Sequence, residues 1–114
     1  MGLFAKGSVV LVHYPYSDLS RNKLRPAVVI AEVAAGDYIL CQITTKPYGS
    51  TEIVQLDPST ELFAGLRTLS YARPEKLFTG NESIIREKIG ELTFETMDAI
   101  VEAIVEIVRR RKHT

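Results

Sequence analysis

The sequence contains few of the residues that crosslink a chain or bind metal. Its 114 residues include one cysteine, Cys41, and two histidines, His13 and His113. A single cysteine excludes an internal disulfide, and its position inside an apolar run is typical of a small buried side chain. Cysteine and histidine show no metal-ligand spacing. We therefore expect neither a metal site nor any other cofactor.

Long apolar runs and an excess of one charge are also absent. No run approaches the length of a membrane span, and the first residues lack the apolar core of a signal peptide. These features favour a cytoplasmic protein with no membrane partner. Fourteen basic and fourteen acidic residues give a formal net charge of zero, so a polyanion would have to be attracted by a local cluster of cations.

The length and the 46% of hydrophobic residues predict one domain spanning residues 1–114. Apolar, β-branched runs broken by turn residues predict a series of short strands. The first run is nearly continuous, which predicts burial on both faces. The predicted strands are Gly7–Tyr14, Ala27–Val33, Tyr38–Ile43, Thr51–Leu56, Arg67–Arg73, Glu75–Thr79 and a short segment within Ser83–Leu92.

The end of the chain predicts an amphipathic helix that begins after Thr93, a good N-cap residue. Its apolar residues recur at three- and four-residue steps. Ser59–Gly65 is interpreted as one helical turn, and Pro15–Lys23 as a loop. Together these elements predict a mainly β fold, a small antiparallel sheet or partly open barrel with the helix packed across it. The apolar positions are Phe94, Met97, Ile100, Val101, Ile104, Val105 and Val108.

The segment from Lys23 to Thr45 predicts a small anion site. A turn between the second and third strands implies that they pair antiparallel, so the start of one lies beside the end of the other. Arg25 and Thr44 are then brought to the same end of the pair. A guanidinium beside a hydroxyl suits a phosphodiester, and Pro26 biases Arg25 towards an extended backbone.

Four segments give the sequence a family resemblance. Gly7–Val12, Pro15–Ser17, Leu24–Ile30 and Gln42–Thr45 resemble the PemK/MazF toxins of bacterial type II toxin–antitoxin systems. The resemblance runs over nearly the whole chain. Its most specific part is Arg-Pro-Ala-Val-Val beginning at Arg25, followed by Ile-Thr-Thr about twenty residues later.

The resemblance implies an SH3-like or CcdB-like barrel that forms a homodimer. It also implies a metal-independent endoribonuclease, an mRNA interferase, that cuts single-stranded RNA at short sequences. The products would carry a 2′,3′-cyclic phosphate and a 5′-hydroxyl, and a cognate antitoxin would block the site. In the family, the matching arginine and threonine carry catalysis, which implies that Arg25 and Thr44 are the catalytic residues here.

Further residues are candidates for RNA binding, by ion pairing with the backbone, hydrogen bonding or base stacking. The general base is not identified, because Ser17–Asn22 contains no histidine and Ser70 occupies the position where some members have an aspartate. The candidate RNA-binding residues are Tyr16, Arg21, Lys23, Thr45, Lys46, Ser70 and Arg73.

Two alternatives remain open at this point. A catalytically degenerate member would act only as an antitoxin-binding module. A CcdB-like protein would inhibit DNA gyrase, but that activity typically uses a tryptophan near the C-terminus, and this sequence contains no tryptophan.

Overall fold

The computed structural model describes residues 3–13, 23–47, 52–61 and 65–110. Within these ranges all paired strands are antiparallel, and they form one sheet in the order β4-β5-β3-β2-β1-β6. A single α-helix follows the last strand, which confirms the predicted mainly β class. The elements are β1 Ser8–His13, β2 Leu24–Ala34, β3 Asp37–Thr44, β4 Val54–Leu56, β5 Ser70–Asn81, β6 Ile85–Glu91 and α1 Phe94–Arg109.

The predicted pairing of β2 with β3 is confirmed. The two strands form an antiparallel hairpin in which Ala27 lies opposite Gln42 and Val28 opposite Cys41. The turn depends on Gly36, whose φ of 80° is in the left-handed region that favours glycine. The Gly36 carbonyl accepts hydrogen bonds from the Glu82 N–H at 2.7 Å and from the Asn81 side chain at 3.1 Å.

Successive side chains on the central strands enter two different cores, as the alternation of a β-strand requires. On β1, Val9 belongs to one core and Val10 to the other, so the predicted burial of this strand on both faces is confirmed. The first core, under the helix, contains Val9, Val28, Cys41, Ile43, Leu56, Ala72, Leu92, Met97 and Ile100. The second core contains Val10, Val12, Ala27, Val29, Tyr38, Leu40, Phe78 and Ile85.

The prediction of two strands, Arg67–Arg73 and Glu75–Thr79, is wrong, because Ser70–Asn81 is one strand that continues through Pro74. β5 pairs with β3 at Ala72 and again at Leu77, which lie opposite Ile43 and Cys41. The intervening residues bulge out of the regular ladder, so the missing N–H of Pro74 breaks no ladder hydrogen bond there. Pro74 is fully buried in this bulge.

Other boundaries shift by a few residues. β4 is shorter than Thr51–Leu56, and the short strand within Ser83–Leu92 is confirmed as β6. The described part of Ser59–Gly65 contains a hydrogen-bonded turn, in which the Thr60 N–H donates to the Asp57 carbonyl at 2.9 Å. The remainder of that segment lies outside the described residues.

Helix α1 begins where the sequence predicts. The Thr93 side chain accepts a hydrogen bond from the Thr96 N–H, which satisfies one of the open donors of the first turn. The buried Glu61 adds a second cap, because its carboxylate accepts the Thr93 N–H at 2.8 Å and the Thr96 hydroxyl at 3.0 Å.

The helix buries less of its apolar stripe than expected. Met97 and Ile100 are buried, and Val101 and Ile104 pack partly against the core under the helix. Phe94 and Val108, near the two ends of the helix, remain 80% and 75% exposed, and Val105 is also exposed. Arg110, just after the helix, forms an ion pair with Glu52 at 2.8 Å.

Candidate active site

A cleft of about 540 Å³ lies at the end of the sheet where β2 begins and β3 ends. Arg25 and Thr44 both line it, so the structure brings the predicted pair to one open site. The lining residues come from the tips of these strands, from neighbouring strands and from the segment that precedes β5. They are Leu11, Lys23, Leu24, Arg25, Pro26, Ile43, Thr44, Thr45, Lys46, Gly65, Leu66, Arg67, Thr68, Ser70 and Ile89.

The cleft lies where the ladder between β2 and β3 stops. Pairing between these strands begins at Ala27 and Gln42, directly after Pro26, which has no N–H to donate. Towards the cleft, β2 pairs only with β1, and β3 pairs only with β5. Arg25 lies opposite Val12 of β1, and Thr44 lies opposite Tyr71 of β5.

The Thr44 hydroxyl oxygen is held by the main chain. Its oxygen accepts a hydrogen bond from the Lys46 N–H at 3.1 Å. A hydroxyl that accepts in this way keeps its own proton available for donation. Thr44 can therefore present an O–H donor to an oxygen in the cleft while its oxygen is fixed by the main chain.

The lining is strongly cationic. It contains Lys23, Arg25, Lys46 and Arg67, and no carboxylate among the described residues. Because the whole chain has a formal net charge of zero, this cluster is a local concentration of positive charge. Such a cleft attracts anions over a range set by the ionic strength.

The structure separates the predicted RNA-binding residues into three groups. Lys23, Thr45, Lys46 and Ser70 line the cleft with the central pair. Arg73 does not line it, and its guanidinium forms an ion pair with Glu75 at 3.0 Å. Tyr16 and Arg21 lie outside the described residues.

The structure gives Ser70 and Arg67 roles other than those predicted, which were RNA binding for Ser70 and the start of a strand for Arg67. The Ser70 hydroxyl donates to the Thr68 carbonyl at 3.1 Å, and the residue is 3% exposed. Ser70 therefore helps to fold the cleft wall. Arg67, interpreted from sequence as the first residue of a strand, precedes β5 and lies in the cleft lining. Arg67 becomes a candidate only because it lies beside the other cations of the cleft in the folded chain. The sequence does not show that these residues are close together.

Two side chains that do not line the cleft, Cys41 and Asp57, have shifted pKa values. Burial raises the pKa of the Cys41 thiol to about 12. The main-chain N–H and the hydroxyl of Ser59 hold the pKa of Asp57 below its usual value. The thiol is therefore inert at neutral pH, and Asp57 stabilises the turn after β4.

Comparison with known proteins identifies the family. Residues 5–108 match the family model described as PemK-like, MazF-like toxin of type II toxin–antitoxin systems. The chain belongs to this toxin family. No curated protein matched the sequence. The match covers both strands that carry Arg25 and Thr44, and it also covers the helix almost to its end.

Solved structures of MazF-type proteins share the fold. An endoribonuclease in complex with its cognate antitoxin from a mycobacterial species has a TM-score of 0.70 and 18% identity, over 99% of this chain and 100% of that chain. The Mycobacterium tuberculosis toxin MazF-mt6 has a TM-score of 0.72 and 18% identity, over 92% and 99%. A chain of the MazE–MazF structure from Deinococcus radiodurans has a TM-score of 0.75 and 15% identity, over 96% and 99%.

Within the described ranges no three His, Cys, Asp or Glu side chains come together in a group that could hold a metal ion. The one α-helix in the described part of the chain does not meet the length and hydropathy needed to cross a membrane.

Proposed function

We propose that this protein is a metal-independent endoribonuclease that cuts single-stranded RNA and acts as a growth-inhibiting toxin. The observation that supports the proposal most directly is the cleft in which Arg25 and Thr44 lie together among cationic residues. Membership of the toxin family supports the same assignment, as does the fold shared with a mycobacterial endoribonuclease.

In the proposed reaction the 2′-hydroxyl of the RNA attacks the adjacent phosphorus. The bond to the 5′ oxygen breaks, which leaves a 2′,3′-cyclic phosphate and a 5′-hydroxyl. The protein supplies no nucleophile, so its contribution is alignment, charge stabilisation and proton transfer. Ser70, at the position where the resemblance places the aspartate of some members, donates its hydroxyl to the Thr68 carbonyl, so we assign it no acid or base role in this step.

Arg25 stabilises the negative charge that develops on the phosphoryl oxygens, because a guanidinium donates to two oxygens at once. Thr44 donates a hydrogen bond from its hydroxyl to a non-bridging oxygen of the same phosphate. The main-chain hydrogen bond from Lys46 holds the Thr44 oxygen in place before substrate binds. Preorganised donors of this kind provide much of the rate enhancement in phosphoryl and acyl transfer.

The proposed partners follow from the same site. A cognate antitoxin with an acidic segment would occupy the cationic cleft and exclude RNA, as charge complementarity favours. The mycobacterial endoribonuclease and the Deinococcus radiodurans MazF were each solved with an antitoxin. We also propose that the chain acts as a homodimer, which sedimentation of the purified protein would measure.

The deciding experiment replaces Arg25. Arg25→Ala is expected to reduce the cleavage rate of single-stranded RNA by about 10²–10³, since one donor to the developing charge is lost. Cleavage is measured in EDTA with end-labelled RNA, and Arg25→Lys tests whether charge alone restores part of the rate. Mapping the fragment ends checks for the cyclic phosphate.

The control is Arg86→Ala, which removes an exposed arginine of β6 that does not line the cleft. This variant should cut at the unmodified rate. Undiminished cutting by a folded Arg25→Ala protein would overturn the catalytic assignment. If the unmodified protein leaves RNA uncut but binds an acidic antitoxin, the chain is a binding module, and inhibition of gyrase supercoiling would indicate the CcdB-like alternative.

A further inference from the structure

One arginine of the cleft has no role in the mechanism above. Arg67 is exposed, lines the same cleft as Arg25 and Thr44, and belongs to a different segment of the chain. Within the described residues its guanidinium forms no ion pair, whereas Arg73 pairs with Glu75 and Arg110 pairs with Glu52. Arg67 is therefore a charged donor available to a ligand.

The segment that carries Arg67 is held at both ends. Gly65 packs so closely on β6 that a Cβ atom there would collide with the carbonyl oxygen and the side chain of Ile89. At the other end, the buried Ser70 hydroxyl donates to the Thr68 carbonyl at 3.1 Å. Arg67 therefore projects from a fixed backbone, which lowers the entropic cost of placing its guanidinium on a ligand.

The size of the cleft leaves room for more than the reacting phosphate. A volume of about 540 Å³ is within the range of sites that bind whole small molecules. If Arg25 and Thr44 take the phosphodiester that is cut, the remaining cations face neighbouring parts of the RNA. An arginine suits a phosphate better than a lysine does, because it can donate two parallel hydrogen bonds.

We propose that Arg67 binds the phosphate next to the one that is cut, and so forms a second phosphate subsite in the cleft. This inference rests on the proposed ribonuclease function. The subsite binds a phosphate that does not react. Its binding energy therefore stabilises the ground state and the transition state equally. Loss of Arg67 should therefore raise KM and leave kcat nearly unchanged.

The test compares Arg67→Ala with Arg86→Ala on an RNA whose cut position has been mapped. A hydrogen-bonded charge pair contributes enough that Arg67→Ala should raise KM about tenfold. Arg67→Lys should restore part of that loss, while Arg86→Ala should match the unmodified protein. A fall in kcat at constant KM would overturn the proposal, because it would place Arg67 at the reacting phosphate.

A modified substrate makes the test specific. Replacing the phosphate on either side of the cut by an uncharged methylphosphonate should lower kcat/KM of the unmodified protein at one of the two positions. Arg67→Ala should be insensitive to that same replacement, because the interaction is already lost. Equal sensitivity of both proteins at both positions would contradict the proposed contact.

A binding measurement separates this inference from the function on which it rests. With an RNA that carries 2′-deoxyribose at the cut, affinity can be measured without cleavage. The slope of log K against log salt should become less steep by about 0.7 in Arg67→Ala, which corresponds to one lost phosphate contact on a single strand. If the unmodified protein binds but does not cut, the ribonuclease assignment fails while this difference still supports the subsite. Equal slopes overturn the subsite.

Discussion

The Cys41 side chain has no exposed surface, and its S–H donates to the Arg73 carbonyl at 3.2 Å. Transfer of a thiolate into this core is unfavourable, so the pKa of the thiol rises to about 12. Sequence context alone predicted a buried, unreactive cysteine, because the residue lies inside an apolar strand. The acceptor in the bulge of β5 was not predictable, since it depends on the path of the chain around Pro74.

The pKa of Cys41 predicts a loss of stability in alkali. Below pH 9 the thiol is protonated in both states, so its burial contributes nothing that depends on pH. Between about pH 9 and 12 only the unfolded chain loses this proton, so the free energy of unfolding should fall by about 1 kcal/mol per pH unit. Urea unfolding of the protein and of Cys41→Ala across this range isolates the effect.

A second measurement checks the same residue at neutral pH. Iodoacetamide should modify Cys41 in the urea-unfolded protein and leave the folded protein unmodified, as mass spectrometry would show. Rapid modification of the folded chain, or parallel pH profiles for the protein and Cys41→Ala, would contradict the buried state of the thiol.

Among the elements, the N-terminus of α1 depends on a residue from a distant part of the chain. Glu61 is buried and accepts hydrogen bonds from Thr60, Thr93 and Thr96. Thr93 was predicted as the N-cap because the local pattern is sufficient. Glu61 was not predicted as a cap, because it lies 32 positions before Thr93 and the contact is not visible along the chain.

Glu61→Ala should lower the free energy of unfolding by about 1–3 kcal/mol, because it leaves buried donors without an acceptor. Glu61→Gln retains an acceptor oxygen and should cost less. The matched control is Glu102→Ala, on the exposed face of α1, which should change stability by less than about 0.5 kcal/mol. Equal losses for Glu61→Ala and Glu102→Ala in urea unfolding would show that the second cap contributes nothing.

At the scale of the whole molecule, positive and negative charges balance, although the cleft concentrates four cations. A formal net charge of zero gives no general attraction to RNA, so binding should come from the cations of the cleft. If the four of them contact phosphates, log K for single-stranded RNA should fall with log salt with a slope of about −3. Titration of the 2′-deoxy substrate between low and physiological salt measures it.

The control for this prediction is Lys76→Ala, which removes an exposed cation that does not line the cleft and should keep the slope. A slope near zero would show that the cleft does not bind RNA through its phosphates. A slope that changes with Lys76 would show that binding involves a surface elsewhere on the protein.

The sequence was sufficient for the fold class and for the position of the central pair. Alternating apolar runs, a turn at Gly36 and the amphipathic pattern of α1 are local features, so they can be read along the chain. The continuity of β5 through Pro74 and the place of Arg67 in the cleft depend on contacts between distant segments. The sequence was therefore sufficient to predict that Arg25 and Thr44 lie together, but not that Arg67 lies in the same cleft.

The end of the β2–β3 ladder at Ala27 and Gln42 has a consequence for the geometry of the proposed cleavage. Arg25 and Thr44 are not tied to each other through the main chain; β1 holds the first and β5 holds the second. Two strands that contribute neither group thus set the distance between Arg25 and Thr44, across which the proposed scissile phosphate would bind. A change that repacks Val12 or Tyr71 alters that gap and leaves the chemistry of both groups intact.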